Sequence, residues 1–413
     1  MVTYHTPLDL VRERSPERPV ALVRPDAVAL AARWFQDNFK GDVLYAVKAN
    51  PSPWVIKTLW EAGSRGFDVA SLNEIDLVAK TAPGATMAFM HPVKSRASIA
   101  RAYTDYGVKT FSLDTHEELT KILEATGGAR DLNLIVRLGV ATEGAAYSLT
   151  GKFGVDVHEA PSLLLATRRA TDELMGVSFH VGSQCMRPTA FQAAMAQASR
   201  ALVRAGVFAD VVDVGGGFPS IYPGMIPPEL TDYVDAIHRS FEEMKVHETT
   251  ELWCEPGRAL VAESSSLLVK VELRKGDALY LNDGSYGSLF DAAHTKWPFP
   301  VKMVRDGEAS ASMKPFRFYG PTCDSLDHMP GPFWLPEDIG EGDYIEIGML
   351  GAYGVAMTTG FNGYGEMDTA EVAEGPMASM YGLGPRSIPV RRMEEGSVVR
   401  LSSRRAKRRN KRR

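Results

Sequence analysis

Six short stretches of this chain place a polar or glycine group directly after an apolar run. In Tyr45-Ala-Val-Lys-Ala-Asn50, Lys48 stands where the run at residues 43–47 gives way to Ala-Asn-Pro. An amine crowded by apolar neighbours loses hydration, which lowers its pKa and makes it a nucleophile for Schiff-base chemistry. The hexapeptide alone suits a surface lysine at a strand end equally well. Asp68 follows Gly-Phe, and Arg137 follows Leu-Ile-Val. His180-Val-Gly-Ser-Gln184, Gly215-Gly-Gly217 and Glu255-Pro-Gly-Arg258 complete the set.

Each group has a chemical use. Gly215, Gly216 and Gly217 let backbone N–H groups close on an anion, and Ser183 and Arg258 add hydroxyl and charged donors suited to a phosphate. A triple glycine also serves as a tight turn. His180 can stack on a flat ring, or be a satisfied core histidine. A reactive lysine, a phosphate nest and a ring partner together imply pyridoxal 5'-phosphate. A carboxylate such as Glu255 beside the pyridine nitrogen keeps that nitrogen protonated and the ring strongly electron-withdrawing. That suits a reaction building a full carbanion at Cα, such as decarboxylation, where an arginine would suit gentler proton shuttling.

The elements that must carry these residues show a strand–helix rhythm. Apolar runs recur at 43–47, 67–70, 86–90, 108–113, 133–138, 176–180, 210–214 and 250–254, with helical patterns at 53–63, 71–81, 95–106, 116–126, 160–174, 189–205 and 228–245. Eight such units over about 215 residues match a (β/α)8 TIM-like barrel, whose chemistry collects at the carboxyl ends of its strands. An open doubly wound sheet is the alternative, disfavoured because no G-x-G-x-x-G follows the first strand. Beyond residue 262 the strand-like runs 267–273, 278–282, 316–319, 344–347 and 352–357 have little helix between them, which predicts an antiparallel β domain. The organisation expected is a barrel over 24–262, a β domain from 1–23 plus 263–375, and a C-terminal extension over 376–413 ending in a basic, disordered tail.

The 413 residues are 45% hydrophobic and 23% charged, enough for a sizeable core. Cys185, Cys254 and Cys323 are the only cysteines and show no C-x-x-C spacing, which argues against a disulfide framework and against a metal site. No run is long enough to span a membrane, and no leader pattern opens the chain, so a cytoplasmic protein is expected. The net charge is -5, but residues 404–413 hold eight Lys or Arg, which leaves about -13 on the rest. An acidic body suits a cationic substrate. The basic tail could touch nucleic acid or an acidic membrane, although such tails are more often simply solvated.

From about residue 20 to residue 364 the chain resembles the fold-type III pyridoxal-phosphate-dependent amino-acid decarboxylases, most of all the ornithine decarboxylase group. The motifs are YAVKAN, GFDVAS, HVGSQ, DVGGGFP, CEPGR, NDGSYGSLFD, GPTCDSLD, GAYGVAM and FNGY. The resemblance implies a barrel with an alanine-racemase-like β domain, Lys48 as the Schiff-base lysine, His180 on the cofactor ring and Glu255 on its nitrogen. It implies Ser183, Gly217, Arg258 and Tyr353 at the phosphate, with Asp68 and Arg137 near Lys48. Cys323 resembles the proton donor to Cα. Asp291 and Asp324 resemble the carboxylates that grip the distal amine of a basic amino acid, and Phe361 an aromatic near the substrate. Cys323 and Asp324 would reach a neighbouring subunit's site, which implies a homodimer with shared active sites. Phe290 stands where tyrosine is usual before Asp291. The reaction implied is decarboxylation of L-ornithine to putrescine, with lysine to cadaverine possible too. Diaminopimelate and, less so, arginine are alternative substrates. An inactive regulatory relative is the alternative class, disfavoured because the lysine, the glycines and the cysteine are all present.

Overall fold

The computed structural model describes residues 2–141, 144–147 and 151–388. The basic tail and the rest of the extension after residue 388 lie outside the described residues. Eight parallel strands close on themselves: Asp42–Ala46, Gly66–Val69, Thr86–Phe89, Thr110–Leu113, Asn133–Gly139, Met175–Ser178, Val211–Asp213 and Glu251–Cys254. Closure is direct, because Glu251–Cys254 pairs with Asp42–Ala46. All eight expected strands form. Inside the barrel Leu44, Ala88, Met90, Ile135, Val211 and Trp253 make a compact apolar plug, which leaves the polar residues to gather at the carboxyl ends.

The surrounding helices form where apolar stripes and caps coincide. Thr189–Ala205 buries Phe191, Ala194, Met195, Ala198, Ala201 and Leu202 along one face and stops at Gly206 in the left-handed region. Ser71, Ser95 and Thr115 cap the N-termini of three others, each accepting the N–H three residues on. The helix expected over 160–174 ends at Ala170, because Thr171 turns extended and donates its hydroxyl to Leu132 O and Arg130 O.

A second, nine-stranded sheet is built from both sides of the barrel in sequence. Its strands run in the order Thr3–Tyr4, Asp368–Val372, Val20–Val23, Ser265–Lys275, Ala278–Leu281, Met313–Tyr319, His328–Pro336, and Tyr344–Ile347 joins Ser265–Lys275 to Val301–Val304. The pairing is mixed rather than purely antiparallel. Val20–Val23 and Thr3–Tyr4 run parallel to Asp368–Val372, and Ala278–Leu281 runs parallel to Met313–Tyr319. Parallel neighbours need a long crossover; here the whole barrel supplies one and residues 282–312 the other. The strand expected at 352–357 is absent. Met349 and Tyr353 take positive φ, and a side chain at Gly351 would strike Val261 O, so this stretch turns and ends in the 3-10 helix Val355–Met357. The strand His328–Pro336 carries Pro330, Gly331 and Pro332, tolerated because it pairs on one side only.

Candidate active site

Lys48 lies in a 3-10 turn, Val47–Ala49, that continues the first barrel strand. Its Nζ is 2.5 Å from Asp68 Oδ2 on the neighbouring strand; Asp68 is 2% exposed and the lysine side chain 44%. Here one expectation is corrected. Desolvation does work against the ammonium, but Asp68, Glu255 and Tyr353 outweigh it and hold the lysine above its ordinary range. Nucleophilicity at Lys48 therefore depends on passing its proton to a neighbour rather than on a depressed pKa.

The glycines after the seventh strand bring three backbone segments together. A Cβ on Gly215 would meet Phe179 O at 2.1 Å, and one on Gly216 would meet Glu255 O at 2.7 Å and His180 Nε2 at 3.2 Å. Only glycine lets the ends of the sixth, seventh and eighth strands approach this closely. Gly182 N–H donates to His180 Nδ1 at 2.9 Å, so the imidazole is neutral there; burial, then Arg137 and Lys48, keep its pKa well below the usual value. Glu255 is 3% exposed, and its Oε1 is buried without a hydrogen-bond partner. Burial, then Asp213 and Asp68, push this carboxyl well above its usual range.

Arg258 opens the short helix Arg258–Val261. It donates to Tyr222 Oη at 2.9 Å and to Ser183 Oγ at 3.4 Å, and it approaches Asp291 at 3.7 Å. Trp297 at 4.5 Å and Tyr353 at 4.9 Å sandwich the guanidinium. Its Nε–H is buried without a partner. Tyr353 N–H donates to Ala49 O, which ties this end of the cleft to the lysine turn.

The sheet domain carries a second cluster. Cys323 is exposed. Its N–H donates to Asn362 Oδ1, and Tyr286 donates to Asp324 Oδ2 at 2.6 Å. Leu326 N–H and the Tyr286 hydroxyl hold Asp324 below the usual carboxylate range, so it stays ionised. Phe361 packs on Tyr286 with ring centroids 4.8 Å apart. The cleft beside them is lined by Glu272, Tyr280, Tyr319, Asp327 and Tyr364, and Lys275 Nζ lies 4.5 Å from the Tyr280 ring. Contacts thus link Lys48 with Asp68, Glu255 and His180 with the glycines, and Arg258 with Ser183, Tyr353 and Asp291, with Arg137 acting on His180 and Glu255; the contacts described for Cys323, Asp324 and Phe361 are instead with Asn362 and Tyr286.

Sequence reasoning passed over Tyr222, Trp297, Tyr286, Asn362 and Asp213. Asp213 stood inside the DVGGGFP motif and was readable there. Tyr286 and Asn362 likewise stood inside NDGSYGSLFD and FNGY, whereas Tyr222 and Trp297 gave no local signal, because each meets Arg258 across more than 35 residues.

Residues with these spare bonding groups fit pyridoxal phosphate. A buried carboxyl short of a donor can face the ring nitrogen, and an arginine with a free Nε–H can face the phosphate. The class that this fold and rim define is that of barrel enzymes built around that cofactor. Comparison with known proteins narrows it. Residues 26–262 match the pyridoxal-binding domain of the pyridoxal-dependent decarboxylases. A lysine/ornithine decarboxylase of Selenomonas ruminantium is 32% identical over 333 residues, covering 79% of this chain and 82% of that protein. Antizyme inhibitor 2 of Xenopus laevis is 32% identical over 347 residues, covering 78% and 73%. The crystal structure of the Paramecium bursaria Chlorella virus arginine decarboxylase aligns with a TM-score of 0.78 at 27% identity, covering 88% and 98%. The chain belongs to the pyridoxal-dependent decarboxylases and is a pyridoxal-phosphate-dependent carboxy-lyase.

Proposed function

We propose that the chain decarboxylates L-ornithine to putrescine and carbon dioxide, with L-lysine as the second substrate. The observation that carries this reading is the sheet-domain cluster: an ionised Asp324 beside Cys323, in a cleft that Glu272 and Asp327 also line. Such a surface receives a distal ammonium and repels the distal carboxylate of diaminopimelate.

Pyridoxal phosphate supplies an electron-poor ring that takes up the electron pair left at Cα when carbon dioxide departs. The chain does the rest. Lys48 Nζ holds the cofactor, and Asp68 Oδ2, 2.5 Å away, receives the proton the amine must lose first. Glu255 faces the ring nitrogen, neutral His180 stacks on the ring, and Arg137 lies near enough to both to affect their charge. Gly215, Gly216, Gly217, Ser183, Arg258 and Tyr353 hold the phosphate. Asp291 and Asp324 bind the distal amine, Phe361 flanks it, and the Cys323 thiol returns a proton to Cα. Cys323 and Asp324 of one copy would reach the rim of the other, so a homodimer completes each site; that their described contacts are with Asn362 and Tyr286 rather than Lys48 supports this. A cytoplasmic setting is supported by three free cysteines.

A panel of ornithine, lysine, arginine and diaminopimelate, with carbon dioxide and diamine followed, tests this. Ornithine should give the highest kcat/KM, with lysine behind it by the 10- to 200-fold an apolar slot can discriminate, about 1–3 kcal/mol per methylene. Fastest turnover of diaminopimelate would overturn the reading.

A further inference from the structure

Directly behind Glu255 lies a carboxyl that the reaction as described does not use. Asp213 ends the seventh barrel strand and is wholly buried. Its Oδ1 accepts the Gly215 N–H at 2.8 Å. Its Oδ2 is buried and finds no partner, as does Glu255 Oε1 at the end of the adjacent strand, and each carboxyl bears on the other's protonation. Two buried carboxyl oxygens brought together with no N–H or O–H between them are stable only if one carboxyl brings the proton. The charged groups that bear on the pair are Lys48, Arg137 and Asp68, with the Cys254 thiol behind. Among the described residues none of them donates a hydrogen bond to Oδ2 or Oε1.

We propose that Asp213 is a positioning residue: it and Glu255 hold one proton between Oδ2 and Oε1, which fixes Glu255 with its other oxygen free for the cofactor ring nitrogen. The Gly215 N–H bond anchors the outer end of this relay, so the glycine turn and the ring-nitrogen partner are set by one side chain. Burial raises both carboxyls, in keeping with a retained proton. The proposal rests on the assignment of Glu255 to the ring nitrogen, and one arm of its test does not need that assignment.

Asp213→Asn keeps an acceptor for Gly215 and offers Glu255 an N–H in place of the shared proton. Asp213→Leu keeps the volume and offers neither. With each variant reconstituted with 15N-labelled pyridoxal phosphate, the ring-nitrogen shift in D213N should match the parent, with kcat within about threefold. In D213L the shift should move toward neutral pyridine, with kcat down about 10- to 100-fold. Equal damage in both variants, or an unaltered shift in D213L, would overturn the proposal. Infrared difference spectra of cofactor-free protein give the independent arm, decisive even if D213L does not fold. The parent should show a protonated-carboxyl stretch that D213N lacks; identical spectra would show that no proton is shared.

Discussion

At Lys48 the pattern of residue types located a strand-end amine but gave the wrong electrostatics. The run before it and the Ala-Asn-Pro after it located a lysine at a strand end. They could not show that Asp68, twenty residues on, would sit 2.5 Å away and keep the amine protonated. His180 in HVGSQ, and Glu255 and Arg258 together in CEPGR, were legible because each motif follows directly on a barrel strand. The partners that tune them were not, because Tyr222 and Trp297 reach Arg258 only through the fold. In the proposed reaction Asp324 sets the substrate choice. Asp324→Asn keeps the shape and removes the charge proposed to meet the distal ammonium, so kcat/KM for ornithine should fall about 10- to 100-fold, mostly through KM. Steady-state kinetics check this, and an unchanged KM would place the amine elsewhere.

Elements were legible where one period ran undisturbed. The eight barrel strands and the long helices announce themselves by apolar spacing, whereas the sheet domain pairs strands from opposite ends of the sequence. No local pattern encodes such pairing. Residues 376–388 show how a poorly patterned segment can still matter. Ser379 Oγ and Met380 N–H donate to the buried Glu263 at 2.5 and 2.6 Å, and the Tyr381 hydroxyl donates to Ala259 O in the helix that Arg258 begins. The segment therefore braces the element that presents Arg258. Burial raises Glu263 to about 7, with those two hydrogen bonds pulling the other way. The fold favours its protonated form, so its stabilisation is full below the ordinary carboxyl value of 4.5 and is lost as pH rises through about 7. The melting temperature should fall across that interval more steeply in the parent than in Glu263→Gln. Asp283, raised to about 6, has the same sign in both proteins and cancels in the difference. Parallel melting curves against pH would contradict this.

In the whole molecule, no helix among the described residues is long and apolar enough to cross a membrane. On the proposed reading the chemistry is divided between the carboxyl rim of the barrel and the exposed cluster around Cys323. Residue types alone could not show that Asp291 lies against Arg258 while Asp324 accepts from Tyr286. The proposed site becomes complete when the cluster of one copy meets the rim of another and the two carboxylates share one amine. Mixing two variants that are each inactive, Lys48→Ala and Cys323→Ala, tests this most directly. Random exchange of subunits should make half the dimers mixed, each with one intact site, and restore about a quarter of the parent's activity on ornithine. No recovery, with subunit exchange verified, would mean that each site is built within a single chain.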